Sequence, residues 1–123
     1  MIKNILFIDD EIVTLGMGKM MLESMGCNVV IAEGGIQGIE LLKANDDIDL
    51  IFLDLMMPDL HGLKVLEYIK SDKRFKNTPI ILQSGMNEPK DVERACKLGI
   101  SGLLQKPYKR QGLEKALKEV DFL

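Results

Sequence analysis

Five side chains of this sequence could do chemistry together if the fold brought them to one place. They are the carboxylates of Asp9, Asp10 and Asp54, the hydroxyl of Ser84 and the ammonium of Lys106. Each lies at or just past the end of a short apolar run, namely Ile5-Leu6-Phe7-Ile8, Ile51-Phe52-Leu53, Ile80-Ile81-Leu82 or Leu103-Leu104. Three carboxylates held close together repel and raise one another's pKa unless a cation sits among them. An all-oxygen set of this kind suits octahedral Mg2+, with Mn2+ as a substitute. Such a metal, with a lysine and a hydroxyl opposite it, can neutralise and orient the oxygens of a transferring phosphoryl group. The nucleophile can then be a carboxylate oxygen.

The apolar runs are strand-length, and the one before Asp54 reads as a strand buried on both faces, bounded by Asp49 before it and by Pro58 and Gly62 after it. Such strands belong to parallel sheets, whose ligand-facing edge is the carboxyl end of the strands. Strands are expected over Lys3 to Ile8, Cys27 to Ala32, Asp49 to Leu53, Pro79 to Leu82 and Ser101 to Gln105. Between them, apolar residues recur at three and four. Val13, Met17, Met20, Met21 and Met25 predict a helix from Glu11 to Met25, capped by Gly26, with this methionine stripe as adaptable core. Gly16 and Gly18 within it imply either close packing on the sheet or a weak helix. Ile36, Ile39 and Leu42 mark a second helix, Val65, Leu66 and Ile69 a third, and Val92, Ala95 and Cys96 a fourth. The last helix, Lys109 to Val120, presents Leu113, Ala116, Leu117 and Val120 inward. Five strand-helix units in strict alternation imply an α/β fold: a doubly wound, five-stranded parallel sheet with helices on both faces, joined by right-handed crossovers.

A chain of 123 residues is expected to form one domain, residues 1–123. Its net charge of -3 gives no electrostatic reason to bind nucleic acid or an anionic membrane. Cys27 and Cys96 lack metal-ligand spacing, and one histidine, His61, cannot complete a zinc set with them. Both cysteines are expected in the core of a cytoplasmic protein, and His61 is expected to face solvent. Gly16-Met17-Gly18-Lys19 resembles a fragment of a phosphate loop but falls mid-helix with the wrong spacing.

Taken as a set, Phe7-Ile8-Asp9-Asp10-Glu11, Leu53-Asp54-Leu55-Met56-Met57-Pro58, Gly62, Ser84-Gly85 and Lys106-Pro107 resemble the receiver domain of two-component response regulators, over essentially the whole chain and of the stand-alone type. The resemblance implies the flavodoxin-like receiver fold with Asp54 as phosphoacceptor. It further implies Mg2+ bound by Asp10, Asp54 and the Met56 carbonyl, with Asp9 helping through water. Ser84 would hydrogen-bond the phosphoryl group, Lys106 would pair with it, and the Lys106-Pro107 bond would be cis. This sequence departs from the family at Leu103, where many receivers carry an aromatic ring whose rotation reports movement of the hydroxyl residue. Gly85 replaces a frequent alanine. Met56 and Met86 hold the two variable positions flanking the phosphoryl group, and since a thioether orients water poorly, slow self-dephosphorylation is expected.

The function expected is a phosphorylation-dependent signalling switch. A histidine kinase or histidine phosphotransfer protein supplies the phosphoryl group, and a downstream protein reads the altered surface. Neither nucleic acid nor membrane is expected as a direct partner, and the protein is expected as a monomer or a phosphorylation-dependent dimer. The switch assists its own phosphorylation and dephosphorylation without being an enzyme in the ordinary sense. The alternative is a phosphorylation-independent adaptor of receiver shape. A phosphatase with an aspartyl nucleophile, or a flavin carrier on the same fold, fits the motifs poorly.

Overall fold

A computed structural model describes residues 3–85 and 87–122. Strands and helices alternate: β1 (Asn4–Asp9), α1 (Ile12–Ser24), β2 (Asn28–Glu33), α2 (Gly35–Ala44), β3 (Leu50–Asp54), α3 (Gly62–Ser71), β4 (Ile80–Ser84), α4 (Pro89–Leu98), β5 (Gly102–Gln105) and α5 (Arg110–Glu119). The five strands form one parallel sheet in the order β2-β1-β3-β4-β5. After β2 the chain crosses back to the other side of β1, so the topological switch point lies between β1 and β3, where ligands of such sheets bind.

Side-chain alternation divides the core in two. Leu6, Ile8, Ile51, Leu53, Ile80 and Leu82 pack with residues of α2, α3 and α4, including Leu42, Val65, Leu66, Ile69 and Ala95. Ile5, Phe7, Phe52, Ile81 and Leu104 face α1 and α5, meeting Leu15, Leu22, Leu113 and Leu117. Phe7 and Phe52 stack there with centroids 5.0 Å apart.

The expected face of α1 is wrong. Val13 and Met20 are 72% and 68% exposed, and Met17 also lies outside, while Leu15, Gly18 and Leu22 face the sheet. Met21 and Met25 pack only at the margin of the core. The physical reason is Gly18: a Cβ there would lie 2.6 Å from the Phe7 ring, so a glycine lets the helix close on that ring. The structure thus decides for close packing at Gly18, whereas a Cβ at Gly16 would meet nothing. The core expectation for the cysteines fails at Cys96, which is exposed on α4, while Cys27 is half-buried and packs against the α1/α5 core. Ile36, which marked α2 in the sequence, points outward from it. Each helix buries only part of its circumference, Gly35, Gly38 and Leu42 in α2 and Ala95 in α4, and residues beside that stripe stay in water.

Strand ends also shift. β4 begins after Pro79 and continues through Gln83 and Ser84, because β5 pairs with it as far as Ser84↔Gln105. Phe75, fully buried within the polar stretch after α3, anchors that connection.

Candidate functional site

β1 and β3 run side by side, with Ile8 opposite Leu53, so the next residues, Asp9 and Asp54, emerge as neighbours at the switch point. Both carboxylates are buried, and Asp10 beside them is exposed. One carboxylate oxygen from each of the three lies within 4.8 Å of the others. Lys106 arrives from the end of β5, its Nζ donating to Asp9 Oδ2 at 2.7 Å and to Asp54 Oδ1 at 3.1 Å. Glu11 Oε1 stands 3.7 Å from the same ammonium. The Glu11 amide donates to Asp9 Oδ1, fixing the other oxygen of that carboxylate. The Lys106-Pro107 peptide is cis.

Electrostatics at this spot are set by burial against a single ammonium. Burial, and then the charge of Asp9, push the Asp54 carboxyl up to about 7 although Lys106 pulls the other way. Burial alone would depress Lys106, but its hydrogen bond to Asp9 and the charge of Asp54 outweigh it, holding the ammonium at about 12. A group of acids this crowded carries more negative charge than one lysine offsets.

The loop after β3 is tied down twice. Gly62 donates to the Leu55 carbonyl at 2.7 Å, and a Cβ at Gly62 would collide with the Asp54 carbonyl oxygen. The turn back over β3 therefore needs a glycine at this position. Asp59 caps α2 from across the loop, accepting from Gly35 and Ile36 amides at 3.1 and 3.0 Å. Burial opposes ionisation of Asp59, but those two amides win and hold its carboxyl below the usual range. His61 is half-buried and caps α3, its Nδ1 accepting from the Leu63 amide at 3.1 Å.

Of the residues expected at the site, Asp9, Asp10, Asp54 and Lys106 come together. Ser84 is buried at the end of the neighbouring β4, and its carbonyl accepts from the Lys106 amide at 2.8 Å. Gly85 follows it, half-buried. Met56 is 51% exposed on the rim and Leu103 is 44% exposed on β5. Met86 lies outside the described residues. Two side chains beneath the site drew no notice in the sequence: Gln83, fully buried in β4, and Tyr108, whose hydroxyl donates to Gln83 Oε1 at 3.0 Å. Burial first, then the Asp9 charge, drives the Tyr108 hydroxyl up to about 12. The available signal was an amide at an inward position of an otherwise apolar strand.

The family profile of the response regulator receiver domain matches residues 5–118. This chain belongs to that family. Receiver domains are the signal-receiving modules of two-component systems. The chemotaxis protein CheY1 of Helicobacter pylori is 32% identical over 117 residues, 94% of each chain. The Regulator of RpoS of Escherichia coli is 35% identical over 107 residues, 87% of this receiver chain, which spans only 31% of that protein's length. Among solved structures, CheY4 of Vibrio cholerae superposes with a TM-score of 0.91 at 25% identity, covering 98% of this chain and 99% of the other. A receiver domain protein from Clostridium thermocellum gives 0.89 at 30% identity, covering 98% and 95%. The sheet order and five flanking helices are those of the flavodoxin-like receiver fold. No helix among the described residues is long and apolar enough to cross a membrane.

Proposed function

We propose that this receiver domain is a phosphorylation-dependent switch with Asp54 as phosphoacceptor. The observation that carries the reading is the bridging ammonium: Lys106 touches both Asp9 and Asp54 at 2.7 and 3.1 Å, at the mouth of the β1/β3 switch point. A phosphohistidine on a histidine kinase or histidine phosphotransfer protein is the donor. An Asp54 oxygen attacks phosphorus in line, its new O–P bond forming as the donor's N–P bond breaks, and the electron pair departs with the imidazole. Lys106 offsets charge on the phosphoryl oxygens, and the Ser84 hydroxyl is the donor available from β4 once the β4–α4 loop moves.

The acidic set fits a hard divalent cation. All its donors are oxygens and they converge within 4.8 Å; burial first, and then the Asp9 charge, push Asp54 up to about 7, and a dication would favour the ionised carboxylates there. Asp9, Asp10 and Asp54 would hold Mg2+, with the Met56 carbonyl completing the protein ligands as in the family. When bound, the metal supplies charge neutralisation of the phosphoryl oxygens. The donor protein approaches over the first turns of α1, where Ile12, Val13 and Met17 stand exposed directly after Asp10.

Intact mass after incubation with Mg2+ and acetyl phosphate tests the reading. One phosphoryl adduct is expected, absent with chelator and absent from Asp54→Asn. No adduct from acetyl phosphate, phosphoramidate or a phosphorylated kinase would overturn it in favour of an adaptor that works without phosphorylation, a role to which the ringless Leu103 is suited.

A further inference from the structure

Gln83 is the one fully buried amide of the central strands among the described residues, and no part of the phosphotransfer scheme uses it. By register it is the direct neighbour of Asp54 on the adjacent strand, and the Leu55 amide donates to its carbonyl at 3.1 Å. Alternation puts its side chain on the α1/α5 face, two residues after Ile81, in the layer that Asp54 enters after Phe52 and Lys106 after Leu104. There Oε1 accepts from the Tyr108 hydroxyl at 3.0 Å, while Nε2 is buried with no partner. An apolar side chain of the same shape would escape the cost of that orphaned donor, so the amide is not explained by packing. What it does is join two separate segments of the chain. One end belongs to β4, next to Ser84, and the other to the loop after β5 that carries Lys106. Tyr108 in turn walls a cavity of about 300 Å³ with Thr14, Met17, Met21 and Pro107, opening between α1 and that loop.

Among the described residues the opposite face shows no equivalent side-chain tie between β4 and the segment after β5. Leu103, which borders Ser84, Gly85 and Val92 on the α4 side, has neither a ring to swing nor a hydroxyl to bond. We propose that Gln83 and Tyr108 are a positioning pair that carries the state of Asp54 across the α1/α5 face, from β4 to the Tyr108 wall of this cavity. The inference rests on Asp54 being the phosphoacceptor. A shift of Ser84 toward a phosphoryl group displaces its neighbour Gln83, and the hydrogen bond transmits that displacement to Tyr108.

The chain holds two tyrosines, Tyr68 and Tyr108, and no tryptophan. Tyr68→Phe therefore makes Tyr108 the only fluorophore, 40 residues from the variant in sequence and on the opposite side of the sheet from Tyr68. With acetyl phosphate and Mg2+, intact mass and tyrosine emission are followed together in Tyr68→Phe and in Tyr68→Phe with Gln83→Met. Emission is expected to change in step with the adduct in the first protein. In the second the adduct is expected to form while the emission change is lost. An adduct without an emission change, or a full change in the Gln83→Met protein, would overturn the relay and leave the phosphoacceptor standing. No adduct in the Tyr68→Phe protein would overturn both. Should Gln83→Met fail to fold, Gln83→Leu in the Tyr68→Phe background takes its place with the same two outcomes, and a silent Tyr108 in the Tyr68→Phe protein overturns the relay in either case.

Discussion

At the residue scale, Asp54 is held in a state that costs the fold stability. Its carboxyl sits at about 7, against about 4 in an unfolded chain, because burial and Asp9 disfavour the charge. Between those values the native state keeps a proton that the unfolded state has released, so stability falls as pH rises through that window and the loss is complete above pH 7. Asparagine carries no charge to lose. In metal-free buffer, Asp54→Asn is expected to exceed the wild type by about 2 kcal/mol at pH 8, roughly half of the full conversion because water and Lys106 relax around the carboxylate. The advantage should vanish near pH 4, and urea titrations at the two pH values check both. Equal stability at pH 8 would mean that Lys106 alone neutralises the pair. Asp9, Asp54, Ser84 and Lys106 could be picked out of the sequence because each ends an apolar run. Gln83 left one mark, an amide in an otherwise apolar strand, but its partner Tyr108 left none, because a hydrogen bond between a strand and a loop 25 residues away has no periodic signature.

Helix α1 shows what periodicity can and cannot decide at the scale of the element. Its existence was legible from the spacing of apolar residues, but apolar residues cover both of its sides, so the stripe that faces the sheet was not. Packing chose Leu15, Gly18 and Leu22 because only a glycine admits the Phe7 ring. The side carrying Val13, Met17 and Met20 was left facing water, its first turn beside Asp10 and Glu11. That exposed side has a testable use if the phosphoryl donor is a protein. Ile12→Glu, 72% exposed and making no core contact, is expected to cut kcat/KM for transfer from a phosphorylated histidine phosphotransfer protein about tenfold, the size of a modest interface hot spot. Uptake from acetyl phosphate, a donor too small to touch α1, should be unchanged. Rapid-quench transfer assays with the two donors separate docking from chemistry, and a parallel loss with both would place Ile12 in the chemistry instead.

Across the whole molecule, strict alternation of strands and helices implied a parallel sheet, yet alternation alone does not say which strands are neighbours. The order β2-β1-β3-β4-β5 makes the difference, because it brings Asp9 and Asp54, 45 residues apart in sequence, together where the strand order reverses. The fold thereby concentrates negative charge at one edge, and its stability becomes linked to any cation that binds there. A ligand that binds only the folded chain adds RT ln(1 + [L]/Kd), about 2.7 kcal/mol at a hundredfold excess over Kd. Mg2+ in that excess is therefore expected to raise the urea midpoint over that in chelator while leaving the slope unchanged, since the surface exposed on unfolding is the same. Asp54→Asn should start from the higher midpoint argued above and respond less to Mg2+. Asp10→Asn, whose carboxylate is exposed and unpaired with Lys106, should start near the wild-type midpoint and also lose the response. Identical midpoints for the wild type in chelator and in Mg2+ would show that Lys106 is the site's only cation, and phosphoryl uptake would then have to proceed without a metal.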